Sequence, residues 1–249
     1  MTLACLFVGL APQASTHAAD RPATPGAIRV AVYDDTGTSS HLPFLLKALA
    51  EHPDLRVDRV DAEAIRSGCL ARYDALIQPG GSGSRQGKTL GEEGREQIRG
   101  FVGKGGGYLG ICAGAYLATN DYQWSLHILD AKVVDRAHWA RGNGPVDVAL
   151  TPKGRELLGV ATPRPSILYF QGPLLAPADD PRLPDYEVLG RFDGEIAKNG
   201  APTGVMKGTT AIAAAPFESG RVICISPHPE RTDNLHDMVY RALLWVTGR

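Results

Sequence analysis

Two stretches carry residue types whose spacing suits nucleophilic chemistry. The first is Gly105-Gly-Gly-Tyr-Leu-Gly-Ile-Cys112-Ala-Gly114-Ala-Tyr116-Leu-Ala, where an apolar run ends on a lone cysteine fenced by glycines and continues in helix-forming residues. A nucleophile on a sharp strand-to-helix turn crowds the backbone around it, and small neighbours tolerate that crowding best. Gly110 and Gly114 flank Cys112 at the required positions. A helix starting there would aim its first N–H groups at the sulfur, favouring a thiolate and a developing oxyanion. An inert buried thiol is the alternative for a cysteine in such a run.

The second stretch is Gly220-Arg-Val-Ile-Cys-Ile-Ser226-Pro227-His228-Pro229-Glu230, a buried strand stopped by proline. It presents His228 and Glu230 from the following turn. The glutamate would orient the imidazole and stabilise its charged form while the other ring nitrogen faces the cysteine. Together these residues predict acyl transfer to Cys112 through a thioester, with His228 as general base and Glu230 as its orienter.

A cysteine elbow followed by a strand ending in His-Pro-Glu resembles the class I glutamine amidotransferase superfamily. Val32-Tyr-Asp-Asp35, Gln78-Pro-Gly-Gly81 and Tyr169-Phe-Gln-Gly-Pro173 make the chain similar to the biotin-protein ligase N-terminal-type branch. The resemblance covers nearly all of residues 26–249. It implies an oxyanion hole in which the N–H of Gly80 or Gly81 joins that of Ala113, the residue after the nucleophile. It also implies that residues between nucleophile and histidine line the substrate side, Gln171 and Gly172 among them; a hairpin or bulge glycine is the other reading of Gly172. Glutamine-using members carry Gly-x-Cys-x-Gly-x-Gln, and here Tyr116 stands at the last position. The glutamine pocket is therefore not carried over. A free-standing amidase or peptidase acting on a small-molecule or peptide substrate is the expectation; a ligand-binding module without turnover, or a thiol-based redox sensor, are the rivals.

These residues need a scaffold. Ile28–Tyr33, Leu55–Val60 and Tyr73–Gln78 are short apolar runs without alternation, as expected of parallel strands covered on both faces. Helices are predicted between them over 41–49 and 62–68, and a surface helix over Leu90–Lys104 stops at Gly105. The predicted fold is α/β: a flavodoxin-like, doubly wound, mostly parallel sheet with helices on both faces. From Asn120 to about Gly208 the pattern shifts to short turn-punctuated strands, including 128–134, 145–150, 186–191 and 203–206. That makes a β-rich insertion between nucleophile and histidine. Strands at 210–216 and 220–226, and an amphipathic helix over 234–247, close the domain. Asp34-Asp35 reads either as a holder of a substrate cation or as turn and capping chemistry. His138-Trp139-Ala-Arg141 is a weaker substrate-contact candidate, with no spacing that ties it to the cysteine.

Of the 249 residues, 43% are hydrophobic, enough for a sizeable core. Lys and Arg number 26 against 27 Asp and Glu, so the balance gives no reason to expect nucleic acid or an anionic membrane as partner. Residues 1–19 hold an apolar core from Leu3 to Ala11 and end in small residues, the pattern of a signal peptide, and 20–26 read as a Pro-rich linker to a domain over 27–249. The apolar run is too short to span a bilayer, and a periplasmic or secreted location is expected. A frayed or buried N-terminus is the alternative. Removal of the leader would leave Cys69, Cys112 and Cys224, an odd number, with a Cys69–Cys224 disulfide left open. No Cys/His spacing suggests a metal site, and no cofactor is implied. The sequence does not set the oligomeric state.

Overall fold

The computed structural model describes residues 26–249; the expected leader and linker residues 20–25 lie outside the described residues. The first half alternates strand and helix: β1 (Ile28–Tyr33), α1 (Leu42–Ala50), β2 (Leu55–Val60), α2 (Ala62–Arg66), β3 (Ala75–Gln78), α3 (Gly83–Gly103), β4 (Gly107–Ile111) and α4 (Ala113–Ala118). The insertion supplies β5 (Ala131–Val134), β6 (Asn143–Leu150), α5 (Pro152–Leu158), β7 (Ser166–Phe170), β8 (Leu174–Pro177) and β9 (Glu187–Phe192). The chain then returns through β10 (Thr210–Phe217), β11 (Gly220–Ile225) and α6 (Asp237–Val246).

The sheet runs β2-β1-β3-β4-β11-β10-β9-β6-β7, with β5 and β8 attached beside β10. Pairing is parallel from β2 to β11 and antiparallel from there outward, so the flavodoxin-like half carries a β-rich extension. The period-2 alternation of each strand divides the core. Val30, Val32, Ile77 and Leu109 pack with Leu42, Leu45, Leu49, Met238 and Leu243 of α1 and α6. Ala31, Tyr33, Leu76 and Tyr108 pack with Ile65, Leu90, Ile98 and Ala115 of α2, α3 and α4. Helices therefore cover both faces, as near-continuous apolar strands require.

Three sequence readings are corrected. Helix begins at Gly83, well before Leu90, and breaks at Gly91, where φ is 67° and ψ −178°. Gly83 and Gly87 act there as contact positions: an added Cβ would meet Ala113 O at 3.0 Å and Trp124 O at 2.3 Å respectively. Thr203–Met206 is a turn, because the Met206 N–H is taken by the Glu195 carboxylate at 3.2 Å and finds no neighbouring strand. The strand expected over 128–134 starts only at Ala131, since the Ile128 and Leu129 N–H groups donate to Ala118 O.

Backbone packing is close at the end of β4. A Cβ on Gly114 would come within 2.0 Å of Gln78 O, and one on Gly110 within 2.6 Å of Gly114 O. By contrast, a Cβ on Gly100 in α3 meets nothing within 4 Å. Gly114→Ala should lower unfolding stability by about 3 kcal/mol through forced backbone displacement. Gly100→Ala should raise it by about 0.5–1 kcal/mol through helix propensity and lost unfolded-state freedom. Urea titration of the two variants against wild type measures both signs.

Candidate active site

β4 ends at Ile111, and Cys112 follows with φ 50° and ψ −98°, a conformation rarely open to a side-chain-bearing residue. The Cys112 N–H donates to Ile225 O at 2.9 Å, and Tyr108 Oη donates to Gly114 O at 2.8 Å. The strained residue is thus tied to β11 on one side and its helix to β4 on the other. Cys112 is the N-cap of α4, with Ala113 as the first helical residue.

β11 pairs with β4 in parallel register, Ile225 opposite Ile111. That register carries Ser226, Pro227 and His228 past the sheet edge beside the elbow. His228 Nδ1 lies 2.6 Å from Glu230 Oε1, and both side chains are buried. The turn is anchored: the His228 N–H donates to Leu168 O at 2.7 Å, and Thr232 Oγ1 donates to His228 O at 2.8 Å. With Nδ1 engaged by Glu230, Nε2 is the nitrogen left for Cys112; it makes no hydrogen bond of ordinary geometry within the protein. Burial pushes the His228 pKa down, but the neighbouring Cys112 sulfur and Glu230 carboxylate outweigh it and hold it up at about 10. Cys112 Sγ also lies 3.5 Å from Phe170 O, to which a protonated thiol donates.

Gly80 lies against both reactive side chains: an added Cβ would meet His228 Cε1 at 2.8 Å and Cys112 Cβ at 3.7 Å. Gly81, at φ 145°, serves a different contact, since a Cβ there would strike Gly37 O at 2.0 Å. The loops after β1 and β3 are clasped at this point, Ser39 N–H to Gly80 O at 3.0 Å and Ser82 N–H to Gly37 O at 2.8 Å.

A cavity of about 620 Å³ opens over the sulfur. Cys112, His228, Gly81, Tyr116 and Gln171 line it, with Gln171 at φ 63°. Burial raises the Tyr116 pKa well above its ordinary value, so the phenol stays neutral. Gly172 is not brought to the cavity; its missing side chain makes room for Ser226, whose carbonyl an added Cβ would meet at 2.2 Å. Asp34 and Asp35 do structural work instead: Asp34 pairs with Arg59, and Asp35 accepts from the Ala62 N–H at 3.1 Å. Arg141 is fully buried between Asp135 and Glu195, while Trp139 reaches the cavity wall. Sequence reasoning missed Ser39, His41, Tyr122, Trp124 and Arg231, which also line it. They come from separate loops, and only Arg231, directly after Glu230, sat next to a recognised motif. Cys69 and Cys224 are both free thiols. Among the described residues, no three His, Cys, Asp or Glu side chains gather as metal ligands.

Comparison with known proteins finds relatives of the chain. Residues 28–140 match the family described as biotin-protein ligase, N terminal. Pyridoxal 5'-phosphate synthase subunit PdxT of Natronomonas pharaonis is 31% identical over 144 residues, covering 53% of this chain and 71% of that protein. A crystal structure of a glutamine amidotransferase superposes with a TM-score of 0.60 at 22% identity, covering 88% of this chain and 99% of the other. The same fold forms 31% of a β-galactosidase from Bacillus circulans sp. alkalophilus, matched over 90% of this chain at 13% identity and a TM-score of 0.56.

The His228 environment makes a stability prediction whose sign is fixed. Its folded pKa of about 10 lies above the ordinary value of 6.5, so the pair's contribution is complete below pH 6.5 and disappears as pH rises through about 10. The unfolding free-energy difference between wild type and His228→Gln should therefore be largest in mildly acidic buffer and shrink steadily toward pH 10. Urea denaturation across that range checks it; a flat difference would mean that folding leaves the imidazole's proton affinity unchanged.

Proposed function

Because the chain belongs to the class I glutamine amidotransferase-like superfamily, with residues 28–140 matching the biotin-protein ligase N-terminal family, we propose that it is a cysteine-dependent amide hydrolase. The observation that carries the reading is the buried His228–Glu230 pair set beside a cysteine in a strained elbow. Strain of this kind, about 1–3 kcal/mol, persists where the surrounding structure over-determines it, and it clusters at reactive sites.

In this reading His228 takes the Cys112 proton, and the thiolate sulfur attacks the amide carbon. The carbonyl electrons move onto oxygen, where the N–H groups of Ala113 and of Gly80 or Gly81 receive the charge. Collapse of the tetrahedral adduct expels the amine with the proton held on His228. Water, activated by the same imidazole, then cleaves the thioester and regenerates the thiol. Glu230 holds the ring in place and stabilises its cation throughout. Tyr116, at the position where glutamine-using members carry Gln, points the reading toward an amide other than free glutamine. The signal-like residues 1–19 add export, to the periplasm or outside the cell, as part of the proposal.

Iodoacetamide should alkylate Cys112 selectively at neutral pH. His228→Ala should slow that reaction roughly tenfold or more, because the imidazolium partner of the thiolate is gone. Turnover of any amide found by screening should vanish in Cys112→Ala. Ordinary thiol reactivity that ignores His228, together with tight ligand binding in Cys112→Ser, would favour a binding module on this scaffold. N-terminal sequencing of the protein from its native host should begin near Ala19; an intact Met1 in the mature protein would remove the export proposal.

A further inference from the structure

The cavity over Cys112 is one-sided in charge. His41, Arg85, Arg136, His228 and Arg231 line it, and no carboxylate does. Two of these cations are answered within the protein: His228 by Glu230, and Arg136 by Asp121 at 3.2 Å. Arg231 has no acidic partner among the described residues. Its guanidinium lies 5.7 Å from the centre of the exposed Phe44 ring and 5.6 Å from that of Phe170, an exposed ring that lines the cavity. Its backbone N–H donates to His228 O at 3.1 Å, so the turn that positions the general base also positions this cation.

The field of these groups is felt inside the site. His41, with Nδ1 2.9 Å from Ser39 Oγ, has its pKa lowered by burial and then by the charges of Arg231 and His228, against an opposing pull from Glu230. A guanidinium flanked by aromatic rings keeps its planar fork of donors, and that fork matches a carboxylate bidentately. Another part of the lining is aromatic: Tyr122 and Trp124 stack with centroids 4.4 Å apart, and Arg136 covers Tyr122 at 4.4 Å. The volume, about 620 Å³, falls in the roughly 300–1,000 Å³ range of pockets that enclose ligands of several functional groups.

We infer that this site takes an anionic amide, a peptide or acylated amino acid whose carboxylate lies on Arg231 while its amide carbon reaches Cys112. The inference rests on Cys112 being the acylated nucleophile. Arg231 then selects among amides without taking part in bond making. A neutral amide of the same shape lacks the charge-assisted pair, and a cationic one meets repulsion from the cavity wall.

The test separates charge recognition from sulfur reactivity. N-iodoacetyl glycine, β-alanine and γ-aminobutyrate, each as free acid and as methyl ester, alkylate Cys112: the sulfur–carbon bond forms and iodide leaves. Mass spectrometry of the Cys112 peptide gives the acid-to-ester rate ratio, with glutathione as the reference thiol. For at least one chain length the ratio should exceed that of glutathione by roughly tenfold or more. It should fall to the glutathione value in Arg231→Gln, recover in part in Arg231→Lys, and shrink with added salt. Because both rates are measured on the same protein, any change in Cys112 itself cancels from the ratio. A ratio equal to that of glutathione, or a preference that survives Arg231→Gln, overturns the inference. If the esters still label rapidly in a His228-dependent way, the hydrolase reading stands without it; failure of every reagent to label Cys112 removes both.

Discussion

The site depends on one close approach, that of the α4 backbone at Gly114 to the end of β3. Gly114 has no room for even a methyl group against Gln78 O, and Gly110 has none against Gly114 O. With α4 pressed this far onto the sheet, the residue joining it to β4 must turn abruptly, and Cys112 accepts φ 50° to do so. The cost is met locally by its N–H bond to Ile225 O and by the Tyr108 hydroxyl on Gly114 O. Those bonds reach β11 and β4, so three adjacent central strands hold one strained residue. The sulfur's position is thereby a property of the sheet, not of a loop.

Register then determines what stands next to it. Parallel pairing of β4 with β11 sets Ile111 beside Ile225, and the residues leaving the two strands stay neighbours: Cys112 on one, Ser226 to His228 on the other. A shift of one residue would turn every β11 side chain to the opposite face of the sheet. Burial on both faces forbids that shift, since Ile223 and Ile225 belong to one core while Val222 and Cys224 belong to the other. The encounter of cysteine and histidine follows from core packing laid down far from the chemistry.

The elbow and the His-Pro-Glu turn were legible because each is a local pattern: glycines at fixed offsets from a cysteine, and a proline ending an apolar run. The five parallel strands were legible for the same reason. Gly83 and Gly87 misled because glycine's usual meaning is a break, whereas here its bareness lets a helix lie against the 124 region. Of the two readings of Gly172, the structural one matches its surroundings, its space being taken by Ser226. Met206 resembled a strand end, yet its N–H bonds to a side chain eleven residues earlier, Glu195. The cavity wall was illegible for a different reason. Ser39, His41, Tyr122, Trp124 and Arg231 come from loops scattered along the chain, and no spacing in one dimension records that they converge.

The convergence sets Cys112 between two groups. Its sulfur lies 3.5 Å from the Phe170 carbonyl and beside the His228 ring, whose charged form burial disfavours but the sulfur and Glu230 favour more strongly. Phe170 precedes Gln171, whose positive φ fixes the direction of that stretch, and both residues edge the cavity. A ligand filling this end would take water from the carbonyl and the imidazole together, and loss of water is tolerated by a charged ring only where a fixed partner replaces it. The Glu230 carboxylate is such a partner for the His228 ring, 2.6 Å from Nδ1. The stretch that edges the cavity is therefore also the one that touches the sulfur, so that whatever fills the cavity meets Cys112 and His228 together.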